Sequence, residues 1–123
     1  MIMGAVNGDF HDIGKNLVIM MIESDGFEVI NLGIDVPVSK FVEMASDLAV
    51  KIVGVSALLT TTMPVMAETV AALNAMPNRI QFKIMVGGVS VASEFADEIG
   101  ADAYTTNVAS AAQKAKEFAQ IAP

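Results

Sequence analysis

The chain has 123 residues, 54% hydrophobic and 17% charged, with a net charge of −7. That length and apolar content suit one domain around a single core and exclude a disordered chain. The negative charge, with no lysine or arginine cluster, excludes a nucleic-acid partner.

There are no cysteines, so disulfides, thiolate metal sites and cysteine nucleophiles are excluded as well. No apolar run reaches the roughly 18–20 residues a membrane span needs. The opening "MIMGAV" lacks the basic start of a signal peptide, and a cytoplasmic setting is expected.

The first strand is predicted over 1–6. A helix follows over 12–25, with Ile13, Leu17, Met20 and Met21 on its apolar face and Gly26 as its stop. "FEVINL" (27–32) reads as the second strand. The second helix is expected over 39–50, with Ser39 as N-cap and Phe41, Ala45 and Leu48 on one side. "KIVGVSAL" (51–58) is the most uniformly apolar strand and suits the centre of a sheet.

A helix over 63–75 has Pro64 in its first turn, where proline is tolerated. "QFKIMVGG" (81–88) is a fourth strand ending in two glycines. A short helix carries Ala92, Phe95, Ala96 and Ile99 and closes at Gly100. "DAYTT" (102–106) is the fifth strand, and the last helix, 107–120, repeats Val108, Ala111, Ala115 and Phe118.

Strict alternation of strand and helix implies an α/β fold with a parallel sheet, right-handed crossovers and helices on both faces. Five strands in this rhythm predict a flavodoxin-like, Rossmann-like sheet of order 2-1-3-4-5. In such a sheet a ligand sits beyond the carboxyl ends of the strands, at the switch between strands 1 and 3. Those ends carry residues 8–14 and 56–62, with Gly87 and Gly88 after the neighbouring strand 4.

Singly, each feature has a structural reading. His11, the one histidine, could be a solvated loop residue. Gly87 and Gly88 could be turn glycines, and "TTTM" could cap the next helix. Asp9 and Asp12 could be favourable charges at a helix start.

Standard motifs are missing. There is no P-loop, and "GAVNGD" lacks the spacing of a dinucleotide fingerprint. A receiver domain needs an aspartate after strand 3 and a lysine after strand 5, where Ser56 and Thr105 stand. Zinc catalysis usually takes three protein ligands, which one histidine does not supply.

Together the three segments resemble a known signature. Asp9-x-His11-x-x-Gly14, Ser56-x-Leu58 and Gly87-Gly88 are similar to the DxHxxG, SxL and GG of cobalamin-binding domains. The gaps of 41 residues (15–55) and 28 residues (59–86) match as well. "GDFHDIGKN", "GFEVINLGIDVP", "VGVSALLTTTM" and "EFADEIGADAY" look most like the corrinoid proteins of methyltransferase systems, related to the cobalamin domain of methionine synthase. Such proteins serve anaerobic one-carbon metabolism in methylotrophic methanogens and acetogens.

The resemblance implies cobalamin as cofactor, bound with its dimethylbenzimidazole tail in a slot between sheet and helices. His11 is then the lower ligand of cobalt, and Asp9 accepts its other ring N–H. Asp12, Ile13 and Gly14 continue the binding segment. Ser56 and Leu58 hold the buried tail, beside Thr60. Thr62 supplies the hydroxyl of a histidine–aspartate–hydroxyl relay, and Gly87 and Gly88 let the tail pass the backbone.

The implied role is a methyl carrier on cobalt, and the chain alone is not a complete enzyme. It would serve a substrate-specific methyltransferase, a methyl-acceptor methyltransferase and a reductive activation protein, with no nucleic acid or membrane. The family's N-terminal helical cap is expected to be absent, so that residues 1–123 form the cobalamin-binding domain. The rival is the cobalamin-binding part of an adenosylcobalamin-dependent mutase, which shares DxHxxG; the continuous "LLTTTM" favours the carrier. A flavin-binding domain would want a Ser/Thr-rich phosphate loop where "NGDFHDIG" is acidic.

Overall fold

The computed structural model describes residues 1–8, 13–47, 50–57, 60–88, 93–105 and 108–121. Strands β1 (Ile2–Val6), β2 (Ile30–Val36), β3 (Ile52–Ser56), β4 (Lys83–Gly87) and β5 (Ala103–Thr105) alternate with helices α1 (Ile13–Ser24), α2 (Val38–Ala45), α3 (Met63–Asn74), α4 (Ser93–Ile99) and α5 (Val108–Ile121). Single 3-10 turns occupy Thr60–Thr62 and Arg79–Gln81. All pairings are parallel, and the sheet order is β2-β1-β3-β4-β5, as the alternation predicts.

Period-two alternation along the inner strands divides the core in two. Ile2, Val6, Val53, Val55, Ile84 and Val86 pack against Phe41 and Ala45 of α2, Met66, Val70 and Leu73 of α3, and Ala96 of α4. Met3, Ile52 and Met85 point the other way, onto Ile19 and Ile22 of α1 and Ala111 and Ala115 of α5. Helices thus cover both faces, which is why the inner strands are apolar throughout. Among the described residues no helix is long and apolar enough to cross a membrane.

Several expectations are corrected. On α1 the buried stripe is Lys15, Ile19 and Ile22, whereas Leu17, Met20 and Met21 are 49%, 65% and 43% exposed. The helix is apolar almost all round, so periodicity alone does not choose its inner face. Packing against the sheet and α5 chooses it.

β2 runs from Ile30 to Val36, not over 27–32. The Ile30 amide donates to the Met1 carbonyl (2.8 Å), and Ile2 pairs with Ile30, so β1 sets where pairing begins. Phe27 and Val29 instead pack under the α1–α5 side. At α2, Pro37 rather than Ser39 holds the N-cap position, and the helix ends at Ala45. Ahead of β3 the Val50 amide donates to the Asp47 carbonyl (3.0 Å).

The ends of the later strands are trimmed as well. β3 stops at Ser56, β4 begins at Lys83 because Arg79–Gln81 form a 3-10 turn, and β5 spans only Ala103–Thr105. Leu48 and Ala92 lie outside the described residues.

Candidate cofactor site

The carboxyl ends of four strands form one transverse row. Ala5 of β1 is in register with Ser56 of β3, Ser56 with Gly87 of β4, and Gly87 with Thr105 of β5. By alternation these residues share a face with Met3, Gly54, Met85 and Ala103, the face that α1 and α5 cover.

One row deeper the space is filled, since a Cβ on Gly54 would lie 2.6 Å from Met3 Cε. Among the described residues of the row at the carboxyl edge, none is larger than threonine. Ser56 and Gly87 are half-buried there, whereas Val55 and Val86 before them are buried. The row is a floor of small residues that includes the hydroxyl side chains of Ser56 and Thr105. Small side chains with two hydroxyls suit a group that approaches the backbone closely and takes a few polar contacts.

The two glycines after β4 differ. A Cβ on Gly87 would meet Thr105 Oγ1 at 2.9 Å, on the neighbouring strand of the floor. At Gly88 φ is 139°, and a Cβ would fall 1.8 Å from the Ala57 carbonyl oxygen. The Ala57 amide donates to the Gly87 carbonyl (3.1 Å), so the two chains stay paired one residue beyond β3. The need for glycine at 88 therefore arises within the protein, from the closeness of the β3 and β4 exits.

Thr62 ends the 3-10 turn after β3 and is 5% exposed. It occupies the N-cap position of α3, but its hydroxyl does not cap that helix. Its Cγ2 lies 3.6 Å from where a Cβ on Gly8 would stand, so the exits of β1 and β3 meet at this pair. Gly8 has φ of 87°, and its amide donates to Asp35 Oδ1 at 2.7 Å.

The other sequence-predicted residues divide in two. Ile13 and Gly14 open α1 and Thr60 opens the 3-10 turn, at the same edge of the sheet. Asp9, His11, Asp12 and Leu58 lie outside the described residues, the first three between Gly8 and Ile13 in the chain. Ser56 and Gly87 are in register, with Gly88 against Ala57, and Thr62 separately meets Gly8; both groups lie at the carboxyl edge of the sheet.

Sequence reasoning assigned no role to Lys15, Asn31, Asp35 or Thr105. Lys15 is 2% exposed, and its Nζ donates to Asn16 Oδ1 (2.6 Å) and Asn31 Oδ1 (2.8 Å). A lysine inside an apolar helical run, one residue after the signature, was the readable sign. Asp35 was hidden because "LGIDVP" reads as a turn.

The B12 binding domain family matches residues 1–115 of the chain. Dimethylamine corrinoid protein 2 of Methanosarcina mazei is 45% identical over 115 residues, covering 94% of this chain and 54% of that protein. The monomethylamine corrinoid protein of Methanosarcina barkeri superposes with a TM-score of 0.89 at 38% identity, covering 94% of this chain and 56% of that one. The methanol:cobalamin methyltransferase complex of Methanosarcina barkeri gives a TM-score of 0.83 at 28% identity, over 96% of this chain and 45% of that chain. The chain thus spans about half the length of the curated relatives it matches. With a family match over nearly all of its length and a fold shared with corrinoid proteins, this chain belongs to the B12-binding domain family.

Proposed function

We propose that residues 1–123 are the cobalamin-binding part of a cytoplasmic methyl carrier. It receives a methyl group from a substrate-specific methyltransferase and yields it to a second methyltransferase. A reductive activation protein restores it when its cofactor is oxidised. The observation that supports this reading is that Ser56 and Gly87 stand in register at the carboxyl edge of the sheet, where Thr62 also meets the Gly8 that precedes Asp9 and His11 in the chain. The likeness to a dimethylamine corrinoid protein and to a methyltransferase complex supports the methyl-carrier role.

Bound cobalamin supplies a cobalt centre able to take up and release a methyl group. The chain's own residues bind and tune it. His11, as neutral imidazole, would hold the cobalt, and Asp9 would hold the other ring N–H and so fix the tautomer. Thr62, buried at the exit of β3, is the hydroxyl through which a proton reaches that pair. Ser56 offers its hydroxyl to the tail beside Leu58 and Thr60, while Asp12, Ile13 and Gly14 complete the segment entering α1. Gly87 keeps the floor low.

The test is reconstitution with hydroxocobalamin, followed by electron paramagnetic resonance of the cobalt(II) state. The protein is expected to keep its colour through gel filtration and to show cobalt lines split into triplets by one axial nitrogen. Labelling histidine with nitrogen-15 should turn the triplets into doublets. Loss of all corrin from folded protein defeats the reading. Triplets that persist after labelling assign the nitrogen to dimethylbenzimidazole and remove His11 as ligand.

A further inference from the structure

Asp35 is the one non-glycine residue at positive φ (51°) among the described residues. L side chains rarely take that conformation, and it marks places where the surrounding structure demands it. It lies where the β1–β2 ladder slips: Gly4 pairs with Gly33, but Val6 pairs with Val36. Two steps along β1 thus face three along β2, a bulge with one extra residue. Such a bulge re-aims a side chain, and here the aimed group is the Asp35 carboxylate, which accepts the Gly8 amide at 2.7 Å. Gly8 immediately precedes Asp9 and also lies against Thr62.

We infer that Asp35 is a positioning residue for the segment that carries His11. It grips the last amide before Asp9, so that the segment leaves β1 from a fixed point beside Thr62. The bond is short, which suits a group that must hold an exposed glycine in one conformation. Without it, Gly8 is free to sample both signs of φ, and the segment loses its fixed origin. The cost then falls on cofactor binding rather than on the core, because Asp35 is exposed. The bulge is thus a functional feature of the edge strand. This inference rests on the cobalamin reading for its consequence, but not for the hydrogen bond itself.

Two variants separate the bond from the backbone. Asp35→Gly removes the acceptor while accepting the left-handed φ at no steric cost. Asp35→Asn keeps an acceptor oxygen and tolerates that φ. In apo-protein, the Gly8 amide should exchange with solvent about tenfold faster in Asp35→Gly and near the wild-type rate in Asp35→Asn, with thermal midpoints of both close to wild type.

After loading with hydroxocobalamin, Asp35→Gly should bind about 10–100-fold more weakly, in the range seen for residues that orient metal ligands. Its cobalt(II) spectrum should show a reduced histidine-coordinated fraction, which Asp35→Asn restores. Unchanged Gly8 exchange in Asp35→Gly overturns the inference at the bond. Faster exchange with wild-type affinity and coordination overturns it at the function. Asp35→Asn as impaired as Asp35→Gly also overturns it, since charge rather than the bond would then matter. Wild-type protein that binds no cobalamin defeats the functional reading, while the exchange experiment still decides the bond.

Discussion

Lys15 on α1 and Asn31 on β2 are joined by a 2.8 Å hydrogen bond from Nζ to Oδ1, although Lys15 is only 2% exposed. The same Asn31 oxygen accepts the Gly33 amide at 2.9 Å, and the Asn31 amide nitrogen donates to Asn16 Oδ1 at 3.3 Å. An ammonium group out of water needs such acceptors, and these tie the start of α1 to the edge strand. With Asp35 holding Gly8, β2 grips the chain on both sides of residues 9–14.

Asn31→Val is therefore expected to lower the unfolding free energy by about 1–3 kcal/mol, the usual cost of leaving a buried polar group short of a partner. Asn31→Asp, which keeps an acceptor for the ammonium, should lose less. Urea denaturation of both proteins measures the difference. Equal stability of Asn31→Val and wild type would show that Lys15 does not depend on this contact.

The glycine pair should respond unequally. Gly88→Ala places a Cβ 1.8 Å from a backbone oxygen, so it should fold poorly, losing at least about 2 kcal/mol before any ligand is added. Gly87→Ala meets the Thr105 hydroxyl at 2.9 Å and carbonyl at 3.2 Å, a milder conflict. It should remain folded yet bind cobalamin more weakly, because it raises the floor. Circular dichroism and cobalamin titration of the two variants check this, and a stable Gly88→Ala would contradict the closeness of the strand exits.

Leu17→Gln and Met20→Lys should change stability by no more than about 0.5 kcal/mol, as expected for exposed positions. Ile22→Ala, at a fully buried site on the same helix, should cost about 2–5 kcal/mol. Thermal denaturation of the three variants decides which face of α1 is inside. A severe loss from Leu17→Gln would reverse the assignment.

At the opposite end of the sheet, Arg79 binds three partners. Its Nε donates to Asn74 Oδ1 (2.6 Å), Nη1 to the Phe82 carbonyl (2.6 Å), and Nη2 to Asp102 Oδ2 (2.7 Å). The same Asp102 oxygen accepts the Ile84 amide (2.8 Å), so this cluster anchors the amino end of β4 beside β5. Arg79→Lys cannot reproduce the planar fork and should cost about 1–3 kcal/mol. Cobalamin affinity should stay at the wild-type value, since the floor lies at the other end of the strands. A large loss of affinity in folded Arg79→Lys would show that the two ends are coupled.

The fold was legible because its signals are local and repeated. Apolar runs such as 52–55 mark strands buried on both faces, and Gly26 and Gly100 sit at positive φ where helices end. The alternation of strand and helix then leaves few topologies, and order 2-1-3-4-5 puts the segments after strands 1, 3 and 4 at one edge. The segments holding Ser56, Thr62, Gly87 and Gly88 could thus be placed at one edge, and the resemblance to cobalamin-binding domains picked out the residues. The structure pairs Ser56 with Gly87 and sets Thr62 against Gly8.

What the tertiary structure alone decided depends on partners far away in sequence. The inner face of α1 was ambiguous because Leu17 to Ile22 is a continuous apolar run, and only packing on α5 and the sheet selects Ile19 and Ile22. The start of β2 was misread because its pairing is set by Met1 and Ile2, not by its own residues. Gly33 and Asp35 look like turn formers in any local window, yet in the ladder they form the bulges that bring a carboxylate to Gly8, 27 residues away in sequence. A hydrogen bond between residues that distant leaves no periodicity to read, because the geometry that makes it exists only once the strands are paired.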